Sequence, residues 1–144
     1  MFEFFKPKQD VRRARILVID DEQHIVETLR DRLEMSNYDV IPAFNGKEGL
    51  AKALAQKPDL ILLDIVMPVM DGLEMLELLR KDEVGREIPV IMLSARTQTQ
   101  DIDRAKNCRI EDFILKPFDL CDLLEIIESI ITNKKSAIVQ ETSL

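Results

Sequence analysis

Two rhythms of apolar residues alternate along this chain. Unbroken runs at 16–19 (ILVI) and 60–63 (LILL) read as strands buried on both faces, since a half-exposed strand would alternate with polar residues. The first strand spans 15–20. Another run, 88–93, is broken only by Pro89 near its start, and 38–41 and 113–115 read as shorter strands, which makes five in chain order. Between the runs lie one-sided stripes at helical spacing. Ile25, Val26, Leu29 and Leu33 mark a helix over about 22–35. Leu50, Ala51 and Leu54 mark the buried side of a second, which Asn45 opens with Glu48 in a capping-box pattern and Pro58 closes. Leu73, Leu76 and Leu79 mark a third, from Asp71, with Glu74 at its third position, to about Asp82. The fourth, opened by Thr97 with Gln100 and ending near Cys108, is polar except for Ile102, Ala105 and Cys108. The last, capped by Asp119, runs from Leu120 to about Thr132, with Leu120, Leu123, Leu124, Ile127, Ile130 and Ile131 on one wide face and Ile126 at its margin. Strands and helices in strict alternation predict an α/β fold, a doubly wound parallel sheet covered on both sides.

The polar residues that end the runs carry the chemistry. The first strand stops on Asp20 and Asp21, the third on Asp64, the fourth on Ser94, the fifth on Lys116. Pro68 has no amide hydrogen, so the central strand cannot continue through it, and Asp64 points into a loop. Parallel strands put all these groups on one rim, where open α/β sheets hold their ligands. Two carboxylates ~4 Å apart repel by about 4 kcal/mol at an effective dielectric near 20. Either one is protonated or a cation sits among them. An oxygen-only site that keeps water favours Mg²⁺. With Lys116 as a fixed cation and Ser94 as a donor, the set suits reception of a phosphoryl group on Asp64. Each part alone is commonplace, because a carboxylate at a strand end usually caps a helix, as Asp21 can here. The specificity lies in the combination.

Composition narrows the alternatives. The chain has 144 residues, 46% hydrophobic and 33% charged, which is room for one soluble domain. A net charge of −7 and a pI near 4.8 disfavour nucleic-acid binding, and no helix-turn-helix segment is expected after residue 132. A single histidine, His24, leaves no histidine metal site or triad, and Cys108 and Cys121 fit no metal spacing. No run is long enough to span a membrane, no secretory signal is present and the expected location is cytoplasmic. There is no GxxxxGK or GxGxxG. The expected organisation is an arm at 1–13, a domain at 14–132 and a tail at 133–144. The arm carries Phe2, Phe4 and Phe5 among basic residues. It is read as a partly ordered tail, with docking on the domain, a partner or a membrane surface as the other readings.

VIDDE at 18–22, LLDIVMPVMDG at 62–72, MLSAR at 92–96 and FILKPF at 113–118 resemble the motifs of response-regulator receiver domains of two-component signalling. The resemblance spans about 14–132 in the right order and spacing. It implies a flavodoxin-like (βα)5 sheet of order 2-1-3-4-5. It also implies Asp64 as phosphoacceptor for a sensor histidine kinase, a phosphotransfer protein or a small phosphodonor. Mg²⁺ would be held by Asp20, Asp21, Asp64 and the Val66 backbone carbonyl. Ser94 and Lys116 would contact the phosphoryl oxygens, Lys116–Pro117 would be cis, and Phe113 would be the aromatic switch partner of Ser94. The implied output surface is about 97–131, where an effector protein binds or a homodimer forms through the fourth helix, fifth strand and last helix. The chain is expected to act alone, as a single-domain regulator and not an enzyme in its own right.

Three departures from the family pattern matter. Phe113 stands where tyrosine is usual. Arg109-Ile110 replaces Gly-Ala, which predicts a non-glycine residue at positive φ. The positions that tune dephosphorylation hold Val66 and Arg96, and an apolar Val66 cannot orient an attacking water, so slow self-hydrolysis is expected. Two competing readings are a phosphorylation-independent docking module and a metal-dependent phosphatase. All the acceptor groups are present, against the first. The second usually needs another acid two residues after the nucleophile, where Val66 stands.

Overall fold

The structure, a computed structural model, describes residues 13–96 and 98–142. Its elements are β1 (Arg15–Ile19), α1 (Gln23–Met35), β2 (Asp39–Ala43), α2 (Gly46–Gln56), β3 (Leu60–Leu63), α3 (Gly72–Lys81), β4 (Val90–Ser94), α4 (Thr99–Asn107), β5 (Asp112–Leu115) and α5 (Leu120–Thr142). The strands form one parallel sheet of order β2-β1-β3-β4-β5, a doubly wound, flavodoxin-like fold.

Side chains alternate across a strand, so each doubly apolar run feeds two cores. Leu17, Ile19, Ile61, Leu63, Val90 and Met92 pack with Ala53 of α2, Leu73, Met75, Leu76 and Leu79 of α3 and Ala105 of α4. On the opposite face Ile16, Val18, Leu60, Leu62, Ile91 and Leu93 pack with Val26, Leu29 and Leu33 of α1 and Leu123, Ile127 and Ile131 of α5. Fully burying one such side chain stabilises by about 1.5–3 kcal/mol, and these two layers hold the strand ends in fixed register.

Several boundaries differ from those read in the sequence. β2 runs on to Ala43 through Pro42, which pairs with Val18. An edge strand tolerates proline because its missing donor is not needed on both sides. In α2 the buried residues are Gly46, Gly49 and Ala53, while Ala51 is exposed and Leu50 and Leu54 only flank the core. The cause is close approach: a Cβ on Gly49 would lie 2.5 Å from Ile19 Cδ1. β4 begins at Val90, because Ile88 ends a short 3-10 turn at Gly85–Glu87, and the Pro89 carbonyl still accepts from the Ile61 amide at 2.9 Å. Gln98 is the N-cap of α4 and makes no side-chain cap, while Thr97, the expected cap, lies outside the described residues. The backbone of α5 stays helical to Thr142, well past Thr132, through a segment expected to be a tail; that segment contains no proline or glycine to stop it. The expected arm lies outside the described residues except for Arg13, which sits 3.8 Å from Asp39.

Arg109 has a φ of 59°, the left-handed backbone expected there. The Arg80 guanidinium explains how it is held, donating to the carbonyls of Cys108 (2.6 Å), Arg109 (2.9 Å), Gly85 and Ile88 (both 2.8 Å). One planar fork therefore ties α3 to the turns that precede β4 and β5. No helix among the described residues is long and apolar enough to cross a membrane.

Candidate functional site

Parallel pairing brings the strand ends together one residue beyond the ladder. Ile19 pairs with Leu63, and the Asp64 amide donates to the Ile19 carbonyl at 3.0 Å. The Asp20 amide donates to the Ala43 carbonyl at 3.1 Å, and that of Lys116 to the Ser94 carbonyl at 3.0 Å. The sheet itself thus fixes where the polar side chains begin.

Asp20, Asp21 and Asp64 each offer a carboxylate oxygen, and these atoms lie within 4.8 Å of one another. Asp20 and Asp64 are buried, whereas Asp21 is exposed. It is Asp20, not Asp21, that serves the start of α1, accepting from the Glu22 amide at 2.9 Å. Asp64 accepts from the Ile65 amide at 2.7 Å. Lys116 Nζ reaches 2.6 Å from Asp20 Oδ2, 3.3 Å from Asp64 Oδ2 and 3.6 Å from Glu22 Oε1.

The electrostatics of this group are tense. Burial and the neighbouring Asp20 charge push the Asp64 carboxyl above the usual range, against the opposing pull of Lys116 and the Ile65 amide. Burial works against the Lys116 ammonium, but its hydrogen bond to Asp20 and the charges of Asp20 and Asp64 outweigh it and raise its pKa. One lysine therefore does not offset burial and the Asp20 charge, and the ionised form of Asp64 is the one its surroundings disfavour. An oxygen-only trio of this kind fits a hard divalent cation such as Mg²⁺.

The loop after β3 is pinned by glycines whose importance the sequence did not reveal. A Cβ on Gly72 would lie 1.9 Å from the Asp64 carbonyl oxygen, and the Gly72 amide donates to the Ile65 carbonyl at 2.8 Å. The Gly46 amide donates to the Met70 carbonyl at 2.9 Å, and a Cβ there would lie 2.4 Å from that oxygen. The Asp-Gly step at 71–72 signals a turn, but nothing in the sequence marks a close approach. Glu22, the third acid near Lys116, was visible in VIDDE without a role.

The remaining predicted residues share the rim less directly. Ser94 is fully buried, and its Oγ accepts from the Arg96 amide at 3.1 Å; among the described residues no hydrogen bond joins it to Asp64. Phe113 pairs with Met92 in the ladder and packs half-buried against the core that includes Ile61 and Leu63. Val66 is exposed, and Lys116–Pro117 is cis.

Comparison with known proteins agrees with this geometry. The family described as "Response regulator receiver domain" matches residues 16–128. The DNA-binding dual master transcriptional regulator RpaA of Synechocystis sp. is 39% identical over 117 residues, covering 81% of this chain and 48% of that protein. The alkaline phosphatase synthesis transcriptional regulatory protein PhoP of Bacillus subtilis is 37% identical over 123 residues, covering 85% of this chain and 50% of that protein. The chain thus spans about half the length of these curated relatives. Among solved structures, a CheY-like receiver domain protein from Methanospirillum hungatei superposes with a TM-score of 0.82 at 31% identity, covering 88% of this chain and 99% of that one. Chemotaxis protein CheY4 of Vibrio cholerae gives 0.77 at 29% identity, covering 83% and 99%.

Proposed function

From the premise that this chain belongs to the response regulator receiver-domain family, we propose that it is a phosphorylation switch with Asp64 as the acceptor. An Asp64 carboxylate oxygen attacks the phosphorus of a phosphohistidine on a sensor kinase or phosphotransfer protein. The P–N bond breaks, its electron pair stays on the imidazole nitrogen, which takes up a proton, and an acyl phosphate remains on Asp64. The observation that carries this reading is the buried Asp64 carboxylate, with Lys116 3.3 Å from it and with Asp20 and Asp21 in the same cluster.

Each group has a task in that reaction. Asp20, Asp21, Asp64 and the Val66 backbone carbonyl would hold Mg²⁺, which when bound neutralises the carboxylates and the incoming phosphoryl oxygens. Lys116 holds a second positive charge at the rim and steers the phosphoryl group toward Asp64. The Ser94 hydroxyl, which accepts from the Arg96 amide, keeps its own hydrogen to donate to a phosphoryl oxygen. A recess of about 560 Å³ beside Lys116, lined by His24, Ile25, Thr28, Phe118 and Leu120, is the surface we assign to the phosphodonor.

Phosphorylation adds nearly two negative charges, and Ser94 and Lys116 shift toward them, with Phe113 repacking behind Ser94. The changed surface, about 97–131, then binds an effector protein or a second copy through α4, β5 and α5. Relatives named as transcriptional regulators favour a second reading of the output, in which this surface controls a DNA-binding unit. The protein assists only its own phosphorylation and dephosphorylation. Because the exposed Val66 cannot orient water, the acyl phosphate should last far longer than seconds; a lifetime of seconds, measured by acid-quenched phosphoprotein, would contradict the role given to Val66.

The test is to follow amide chemical shifts on adding beryllofluoride with Mg²⁺. Shifts centred on Asp64 and reaching Phe113, absent from Asp64→Ala, are expected. No response, or the same response in Asp64→Ala, would leave only a docking module with the receiver fold.

A further inference from the structure

We propose that Arg96 and Asp101 form the link through which Ser94 moves α4, an inference that rests on the phosphoacceptor reading above. Arg96 is held at both ends. Its amide donates to Ser94 Oγ at 3.1 Å, and its guanidinium Nε lies 3.3 Å from Asp101 Oδ2. Asp101 stands in the first turn of α4 and is 8% exposed, on a helix whose only other buried residue is Ala105. α4 therefore has little apolar anchorage, and a buried charge weighs heavily in its placement.

The Arg96–Asp101 pair is within ion-pair distance yet poorly aligned, for Asp101 Oδ2 is buried without a hydrogen-bond partner. Arg104, the next cation along the helix, is committed to Glu77 of α3, with contacts at 2.7 and 3.3 Å. Arg96 is thus the cation in ion-pair contact with Asp101, while Arg104 feels the Asp101 charge from its own pairing with Glu77. When the Ser94 hydroxyl turns toward a phosphoryl oxygen, it gives up the Arg96 amide. The guanidinium two residues on is then freed to move toward the new negative charge. Asp101 must follow it or lose its partner, and either response displaces the start of α4. The relay runs from Ser94 Oγ through both ends of Arg96 to a buried carboxylate in the first turn of α4.

The test uses the full chain with Mg²⁺ and beryllofluoride, reading the amides of Ile65 and Ala95 at the site and of Ile102 and Ala105 on α4. In Asp101→Asn the site shifts persist while the α4 shifts are largely lost. Glu77→Ala, which releases Arg104, leaves the α4 shifts in place. Adding Asp101→Asn to Arg96→Ala changes the α4 response no further, as two members of one link require. Full-sized α4 shifts in Asp101→Asn, or independent effects of the two substitutions, would overturn the link while leaving the acceptor reading intact. No shift at Ile65 and Ala95 in the unmodified chain would overturn both.

Discussion

Lys116 and Asp64 set the character of the site at the scale of single residues. Burial and the Asp20 charge disfavour the ionised form of Asp64, so ionising it costs the Mg²⁺-free protein stability. Asp64→Asn keeps the shape and the acceptor for the Ile65 amide but removes that charge. Without Mg²⁺ it should be more stable by on the order of 1 kcal/mol, read from urea midpoints, and lose its stabilisation by Mg²⁺. Arg109 gives an independent residue-scale test, because its φ of 59° suits glycine. Arg109→Gly should stabilise the fold by up to about 1 kcal/mol if Arg80 still grips the residue 109 carbonyl; a destabilisation would show that the side chain itself matters. These two residues also mark how far the sequence could be read. Asp64 was legible because a polar residue closes an apolar run. The left-handed Arg109 was legible only through departure from a family pattern. The close approaches at Gly46 and Gly72 were not legible, since contacts with distant backbone leave no local trace.

At the scale of elements, caps and packing faces decide where helices begin and which side they bury. Asn45 Oδ1 accepts from the Glu48 amide at 2.8 Å, and Glu48 Oε1 reaches back to the Phe44 amide at 2.6 Å. That hydrogen bond is the main reason the Glu48 carboxyl sits below its usual 4.5, with Lys52 helping. A depressed folded pKa means the stabilisation is present above the unfolded value and lost as pH falls through the folded one. Glu48→Gln should therefore lose less Tm than the unmodified chain between about pH 6 and about pH 3; equal losses would mean the cap adds nothing. The capping box was readable because its residues are neighbours in sequence. Misassigning Ala51 to the core has a physical cause: Gly49 brings α2 so close to Ile19 that the helix turns its smallest residues inward. β2 extends past the expected 38–41 because an edge strand accommodates Pro42, which pairs with Val18. The extension of α5 falls in a stretch, NKKSAIVQET, whose apolar residues are too few to announce a helix.

For the whole molecule, alternation in the sequence leads to a parallel sheet, and a parallel sheet leads to one functional rim. The runs that end on Asp20, Asp64, Ser94 and Lys116 say that those groups meet if the strands are parallel. The order 2-1-3-4-5 that makes β1 and β3 neighbours came from the family resemblance, since periodicity carries no information about which strands pair. Once that order holds, Ile19 beside Leu63 forces the acids together, and Lys116 arrives from the edge of the sheet to 2.6 Å from Asp20. The same arrangement leaves α4 weakly packed and joined to the rim by Arg96, so charge at one site can be felt on an outer surface.

The most direct test of the central claim is intact-protein mass spectrometry after incubation with acetyl phosphate and Mg²⁺. The account predicts one added phosphoryl group that hydroxylamine removes and that is absent from Asp64→Ala or after chelation of the metal. No incorporation, or a hydroxylamine-resistant phosphate that survives in Asp64→Ala, would contradict it.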